Sequence, residues 1–340
     1  MCKTSGILVE CDRCPRAYHK ECAGLSSIPE SWLCPFCCKM YKREKPRRVQ
    51  MIKTSKTKLS SCVLCRSTDF LKSGFGPRTV MLCDQCDKEY HIGCLKDNNM
   101  CDLKELPNGD WFCSNDCKRI NTALKELDLH EPEPLPDLVS DLIKNKCEEK
   151  GLHMDANTDL RWKLIQGKSS AAKKSILSRI VSMFHESFKP IKDDATGGDL
   201  IKAMVYGRKI GSHDFHGMQC AVLTVNSFVV SAALLRVLGC EAVEMPLAAT
   251  YKQDQGMGYF RSLFWCILRM LSNLGVKHFV LPAAKDAESY WRNVFGFEKL
   301  SREKQLKCAK DLYLTVFEGT SLLYKPIPAP QAFAEGSRRS

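Results

Sequence analysis

The sequence predicts an α+β chain in which two small metal-knotted modules precede a larger domain built on a mixed, mostly antiparallel sheet. Three observations carry that expectation. Fifteen of the twenty cysteines fall within residues 1–117, and most stand in short pairs rather than scattered. The remainder of the chain alternates strand-like runs with amphipathic helical stretches around a glycine-containing loop at residues 253–258.

Composition bounds the rest. A chain of 340 residues exceeds what one hydrophobic core normally fills, so a modular organisation is expected. With 44% apolar residues and only 20 Gly and 15 Pro, wholesale disorder and collagen-like repeats are excluded. Arg261 and Arg269 interrupt the best apolar stretch, which falls short of the roughly 18 uncharged residues that a membrane span needs. Residues 1–20 lack the apolar core of an export signal. No membrane partner is expected, and in a reducing compartment crowded thiols serve as metal ligands rather than disulfides.

The second cysteine cluster reads Cys62-x2-Cys65, Cys83-x2-Cys86, His91-x2-Cys94 and Cys113-x3-Cys117. Zinc takes four nitrogen or sulfur ligands in a tetrahedron, so eight ligands in four pairs imply two ions. The single histidine stands fifth in the order. That order, with Trp111 two residues before Cys113, resembles a PHD finger; a RING finger carries its histidine fourth. The resemblance implies interleaved pairs: Cys62, Cys65, His91 and Cys94 on one ion, Cys83, Cys86, Cys113 and Cys117 on the other. Cys101 is left over as a small buried or free thiol.

Residues 1–38 repeat the scheme with Cys11-x2-Cys14, His19-x2-Cys22, Trp32 and Cys34-x2-Cys37. Cys11, Cys14, Cys34 and Cys37 make one complete set. The other keeps only Cys2, His19 and Cys22, because the partner of Cys2 would precede Met1. The chain therefore looks truncated, and weaker metal binding is expected there, about three zinc ions per chain rather than four. Zinc would stabilise knots this small, and two roles stay open for them: bracing the neighbouring domain, or reading a histone tail as an added strand. Lys3, Thr4, Ser5, Ile7 and Val9 offer no aromatic cage for methyl-lysine in the first finger, whereas Phe70, Phe75 and Met81 leave the question open in the second.

Between the fingers, residues 39–58 form a linker of nine basic side chains and one acidic, two-thirds of the net +12. KREKPRR within it has the character of a nuclear import signal or a non-specific phosphate contact with DNA. The second finger is expected over 59–120 and a helical, proline-containing connector over 121–170, with the spacer His130–Pro136. Helices are expected at 137–150 and 171–188, the latter carrying Leu177, Ile180, Val181, Phe184 and Phe188 on one face. Residues 218–238 suggest a hairpin around Asn226-Ser227, followed by a strand at 241–250. After the loop Gln253-Asp254-Gln255-Gly256-Met257-Gly258 come an amphipathic helix stopped at Gly275, a strand at 276–281, a helix at 286–295 and two strands within 299–326.

Glycines at such a strand–loop–helix junction let the backbone approach a ligand, and free amides at a helix start can cradle a pyrophosphate. A three-glycine dinucleotide fingerprint is missing. The element order resembles the GNAT acyltransferase fold over roughly residues 175–326, within a domain drawn as 171–326 and followed by a tail at 327–340. LCDQCDKEYHIGCL, MVYGR, CAVLTVNSFVVSAALLR and GYFRSLFWCILRML extend the likeness to plant PHD-finger/GNAT histone acetyltransferases of the "increased DNA methylation" type. That resemblance implies acetyl-coenzyme A as donor substrate, its pyrophosphate on Gln253, Gln255, Gly256, Met257, Gly258 and Tyr259, and its pantetheine arm between splayed strands. It further implies histone tails on nucleosomes as acceptor, and a nuclear location.

Transfer from a thioester to lysine needs a neutral amine, hence a base. Glu244 stands about where the family keeps a glutamate base, with Glu241 the other carboxylate on that strand. A backbone N–H of Leu247, Ala248 or Ala249 would hold the oxyanion. The family's usual tyrosine acid is replaced by Arg292, with Tyr290 the nearest substitute. Cys220, Cys240 and Cys266 lie in apolar runs that disfavour an acyl-cysteine route. A non-catalytic chromatin adaptor retaining the fold is the alternative reading.

Overall fold

The computed structural model describes residues 6–11, 16–27, 32, 34–35, 51–52, 61–155, 157–167, 171–301, 312 and 314–334. Cys2, Cys14 and Cys37, together with nearly all of the basic linker, lie outside the described residues.

In the first finger, β1 (Leu8–Glu10) pairs antiparallel with β2 (Ala17–His19), and Tyr18 packs edge-on to Trp32 at 5.4 Å. The second finger holds a similar pair, β3 (Val80–Leu82) and β4 (Glu89–His91), which leads into α1 (Ile92–Asp97). α2 (Asn115–Leu129) follows directly, started by the Ser114 hydroxyl, which accepts the Cys117 amide at 3.2 Å. After the prolines comes α3 (Asp137–Glu149).

The larger sheet then forms from β5 (Leu160–Gln166), β6 (Met218–Val225), β7 (Phe228–Leu238), β8 (Ala242–Glu244), β9 (Ala248–Thr250), β10 (His278–Ala284), β11 (Glu298–Lys299) and β12 (Thr320–Pro326). Their order is β11-β12-β10-β8-β7-β6-β5, with β9 also on β7 and Glu133–Pro134 beyond β5. Among the described residues, only β8 and β10 run parallel. The hairpin expected around Asn226-Ser227 joins β6 to β7, and both turn residues take positive φ, 49° and 68°, as a tight hairpin requires.

Alternation decides which helix covers which face. From β7, Ala232 and Leu234 meet α4 (Ala171–Ser187) and α5 (Leu200–Val205). Ala233, Leu235 and Val237 meet α6 (Tyr259–Asn273), joined by Ile120 and Leu124 of α2 and Val139, Ile143 and Cys147 of α3. α7 (Glu288–Phe295) ends at Gly296, φ +68°, where the Phe297 amide returns to the Trp291 carbonyl.

Two expectations on organisation are corrected. The unit built on the larger sheet does not begin at residue 171: β5, inside the segment read as connector, is a full strand of that sheet. LRWKLIQ alternates buried Leu160, Trp162 and Leu164 with Arg161 and Lys163, whose long side chains hid a half-buried strand. Nor do the helical parts of the segment read as connector merely link two units, since α2 and α3 bury apolar faces in the main core.

The second finger is docked on this sheet. Gln85 Nε2 donates to the Val237 carbonyl at 2.7 Å, Asn121 buttresses Gln85, and Arg119 donates to the Leu274 carbonyl at 2.8 Å. The turn between β7 and β8 meets the finger at Gly239, φ +64°, where an added Cβ would stand 3.2 Å from both Cys117 Sγ and Cys86 Cβ. Only glycine suits both the dihedral and the contact.

Candidate functional site

Across from β7, the strand that carries Glu244 is irregular. Arg236 pairs with Glu244 and Ala233 with Ala248, so four steps on one strand oppose three on the other. That extra residue is a β-bulge over Met245-Pro246-Leu247. On the opposite side, β8 is zipped to β10 only as far as the Met245 amide, which donates to the Val280 carbonyl at 3.0 Å. The next donor of that ladder would be the amide of residue 282, which is a proline; Pro246 likewise has no N–H. β9 then continues on β7 alone. The sheet splits here into a wedge between β9 and β10.

Because Leu247 and Tyr251 bond to β7 through Leu234 and Val230, the alternation of a strand turns the amides of Ala248 and Thr250 into the wedge. The Thr250 carbonyl is taken by the Gln255 side-chain amide at 3.1 Å. Below the wedge the chain makes a short 3-10 turn, Lys252–Asp254, and enters α6 through Gly256 (φ +81°) and Gly258 (φ +82°). No side chain caps α6, so the first amides of the helix lack intrahelical partners and its positive dipole end is uncovered. A cleft of about 550 Å³ adjoins this turn, lined by Tyr251, Gln253, Asp254, Tyr259, the β6–β7 hairpin and Arg179. The loop residues expected from sequence are thus brought together beside the wedge with Leu247, Ala248 and Ala249.

The expected acid–base residues are not. Glu244 is 1% exposed and closed on all sides: it lies 2.7 Å from Arg236 Nε and accepts from Thr315 N (2.7 Å) and Thr315 Oγ1 (3.1 Å). Asp87 of the second finger approaches the same guanidinium at 3.5 Å. A carboxylate so engaged has no lone pair turned to a substrate ammonium, so the geometry opposes the base role. Glu241 faces the finger, paired with Lys88 at 2.8 Å, a pairing that holds the Lys88 ammonium above its ordinary value despite burial. Tyr290 is 49% exposed and packs edge-on to Phe295 at 5.5 Å, and Arg292 lies 3.9 Å from Glu288. Burial pushes the Cys220 thiol up and the Cys266 thiol to about 12, in keeping with inert core residues. Sequence reasoning missed Arg236, Thr315 and Pro282. Only the proline, inside an apolar run, carried a local signal.

The second finger gathers its thiols in the two sets that the PHD resemblance implied. Within each of Cys62, Cys65, His91, Cys94 and Cys83, Cys86, Cys113, Cys117, the ligand atoms lie within 4.8 Å of one another. Cys86–Cys113 and Cys113–Cys117 sulfurs are 3.6 and 3.7 Å apart, against about 3.8 Å for a zinc tetrahedron with ~2.3 Å bonds. His91 places Nδ1 3.3 Å from Cys65 Sγ, while Nε2 meets the Asp69 carbonyl at 3.1 Å, an outer contact that frees Nδ1 for metal. Backbone amides of His91 and Cys113 point at Cys62 and Cys83 sulfurs. This donor set fits zinc. In the first finger, Cys34 N donates to Cys11 Sγ at 3.2 Å, and His19 and Cys22 lie on the strand pair and the turn after it.

Comparison with known proteins agrees with this architecture. The family "Increased DNA methylation 1, C-terminal domain" matches residues 188–326, and the family "PHD-finger" matches residues 1–37. Residues 188–326 and 1–37 of this chain are thus similar to those two families. "Increased DNA methylation 1" of Arabidopsis thaliana is 27% identical over 331 residues, 96% of this chain and 25% of that protein. The chain thus spans a quarter of that relative's length. A "Chromodomain-helicase-DNA-binding protein 3 homolog" of Caenorhabditis elegans is 29% identical over 147 residues, 40% of this chain and 7% of that protein. Among solved structures, Tetrahymena GCN5 resembles it at 16% identity with a TM-score of 0.41, over 50% of this chain and 96% of that one.

Proposed function

We propose that this PHD-finger protein with its GNAT-like domain is an acyl-coenzyme A dependent N-acetyltransferase of chromatin that acts on lysines of histone tails. The observation that carries the reading is the wedge opened by the Met245–Leu247 bulge and Pro282 directly above an uncapped helix start. A pantetheine arm is an extended chain with amides of its own. It fits between β9 and β10, bonding to Ala248 and Thr250, while the diphosphate takes the amides from Gly256 to Tyr259. The amide of Ala248, next to the bulge, is then placed to receive the thioester oxyanion. With Glu244 and Glu241 both engaged, the ammonium proton leaves through water rather than directly to a carboxylate.

The names of the relatives, a DNA-methylation factor and a chromodomain helicase, support a chromatin setting and with it a nuclear location. Supporting tail recognition, among the described residues β3 pairs only with β4, and Val80 and Leu82 stand exposed on it. A histone tail adds there as a strand. Zinc, two ions in the second finger and at least one in the first, holds these modules. The engaged Glu244 and displaced tyrosine favour a second reading: a chromatin adaptor that binds the coenzyme without turnover. Incubating the zinc-loaded chain with labelled acetyl-coenzyme A and nucleosomes tests both. Label on histone lysines supports the enzyme; coenzyme binding without label supports the adaptor; no coenzyme binding overturns both.

A further inference from the structure

α3 stands outside the transferase sheet, yet its last turn lies over the glycine loop. It packs along α6, where Ser262 Oγ donates to the Val139 carbonyl at 3.0 Å. An added Cβ at Gly258 would come within 3.6 Å of Lys146 Cγ and of the Leu142 carbonyl oxygen, and one at Gly256 would collide with the Lys150 ammonium. Lys150, which closes the helix, donates from Nζ to the Gln255 carbonyl at 2.9 Å. Lys146 is engaged by Glu149, one turn away from that contact.

The consequence follows from peptide geometry. In a trans peptide the C=O and N–H point in opposite directions, and the described residues include no cis bond. Holding the Gln255 carbonyl against Lys150 therefore turns the Gly256 N–H to the other side of the loop. The Gln255 side chain is anchored separately on the Thr250 carbonyl, which leaves the peptide plane itself to the Lys150 contact. Released from Lys150, a peptide that ends in glycine rotates at little steric cost, and the reversed plane presents an oxygen where an anion requires a donor.

We propose that Lys150 is a positioning residue for the diphosphate loop: it pins the Gln255–Gly256 peptide so that the amide, and not the carbonyl, is offered to the anion. The proposal rests on the coenzyme reading above.

The test uses calorimetry of coenzyme A with the zinc-loaded full chain, its Lys150→Met and Lys150→Arg variants, and Lys146→Met as a control for lost charge. The dissociation constant is expected to rise about tenfold in Lys150→Met. In Lys150→Arg and Lys146→Met it stays within about twofold of the parent. In the ligand-free chain carrying 15N-glycine, the Gly256 amide resonance is expected to move in Lys150→Met and to return in Lys150→Arg. Unchanged affinity in Lys150→Met, an equal loss in Lys146→Met, or an unmoved Gly256 resonance overturns the positioning role while the coenzyme reading stands. A parent chain that gives no heat with coenzyme A overturns the coenzyme reading and this role with it.

Discussion

Glu244 illustrates how one side chain can look catalytic in a sequence and be structural in the fold. Its carboxylate lies against Arg236 and accepts two bonds from Thr315, all away from solvent. Breaking such a buried pair leaves an uncompensated charge, so Glu244→Gln is expected to cost about 3–5 kcal/mol, read as a lowered denaturant midpoint. A carboxylate acting purely as a base would leave that midpoint unmoved. Gly256 makes the opposite prediction. Gly256→Glu strains a φ of +81° and places a carboxylate on the anion cradle, so coenzyme A heat disappears while the far-ultraviolet circular dichroism of the fold persists. Retained coenzyme binding by that variant would contradict the loop assignment. No sequence spacing separates a base from an ion-paired carboxylate, because the partners, eight and 71 positions away, meet only when β7 and β8 pair and the chain returns through Thr315.

At the scale of elements, what the sequence made legible was whatever has a local cause. Asn226-Ser227 marks a hairpin because both residues tolerate positive φ, and Gly275 and Gly296 stop helices for the same reason. Paired cysteines mark the knots because thiolate chemistry demands short spacing. β5 stayed hidden, and so did the packing role of α3, the helix expected at 137–150, since both come from neighbours: β5 from β6 beside it, α3 from the face of α6. The join between finger and sheet is also non-local, and Gly239 is its critical point. Gly239→Leu is expected to lift the second finger from the β7–β8 turn and to add about 1–2 kcal/mol of backbone strain. Amide hydrogen exchange at residues 83–88 and 236–244 would then rise together. Faster exchange in the finger alone would contradict a shared interface.

For the molecule as a whole, the docked finger makes metal and sheet stability one quantity. Gln85, Asp87 and Lys88, all beside zinc-type ligands, reach Val237, Arg236 and Glu241. Chelation is expected to lower the melting temperature of the domain built on the larger sheet, not only to unfold residues 61–120, and zinc measured by emission spectroscopy should fall in step with it. A domain that melts at the same temperature after chelation would show that the fingers merely accompany it. The seam beside Pro282 bears on the timing of ligand entry. Pro246 and Pro282 remove the donors at the point where β8 and β10 part, so the strands do not zip shut across the seam, and on the proposed coenzyme reading the ligand meets an aperture already standing open. Capture should then proceed in a single kinetic phase whose rate climbs linearly with ligand concentration, with no plateau set by a prior unlatching of the backbone.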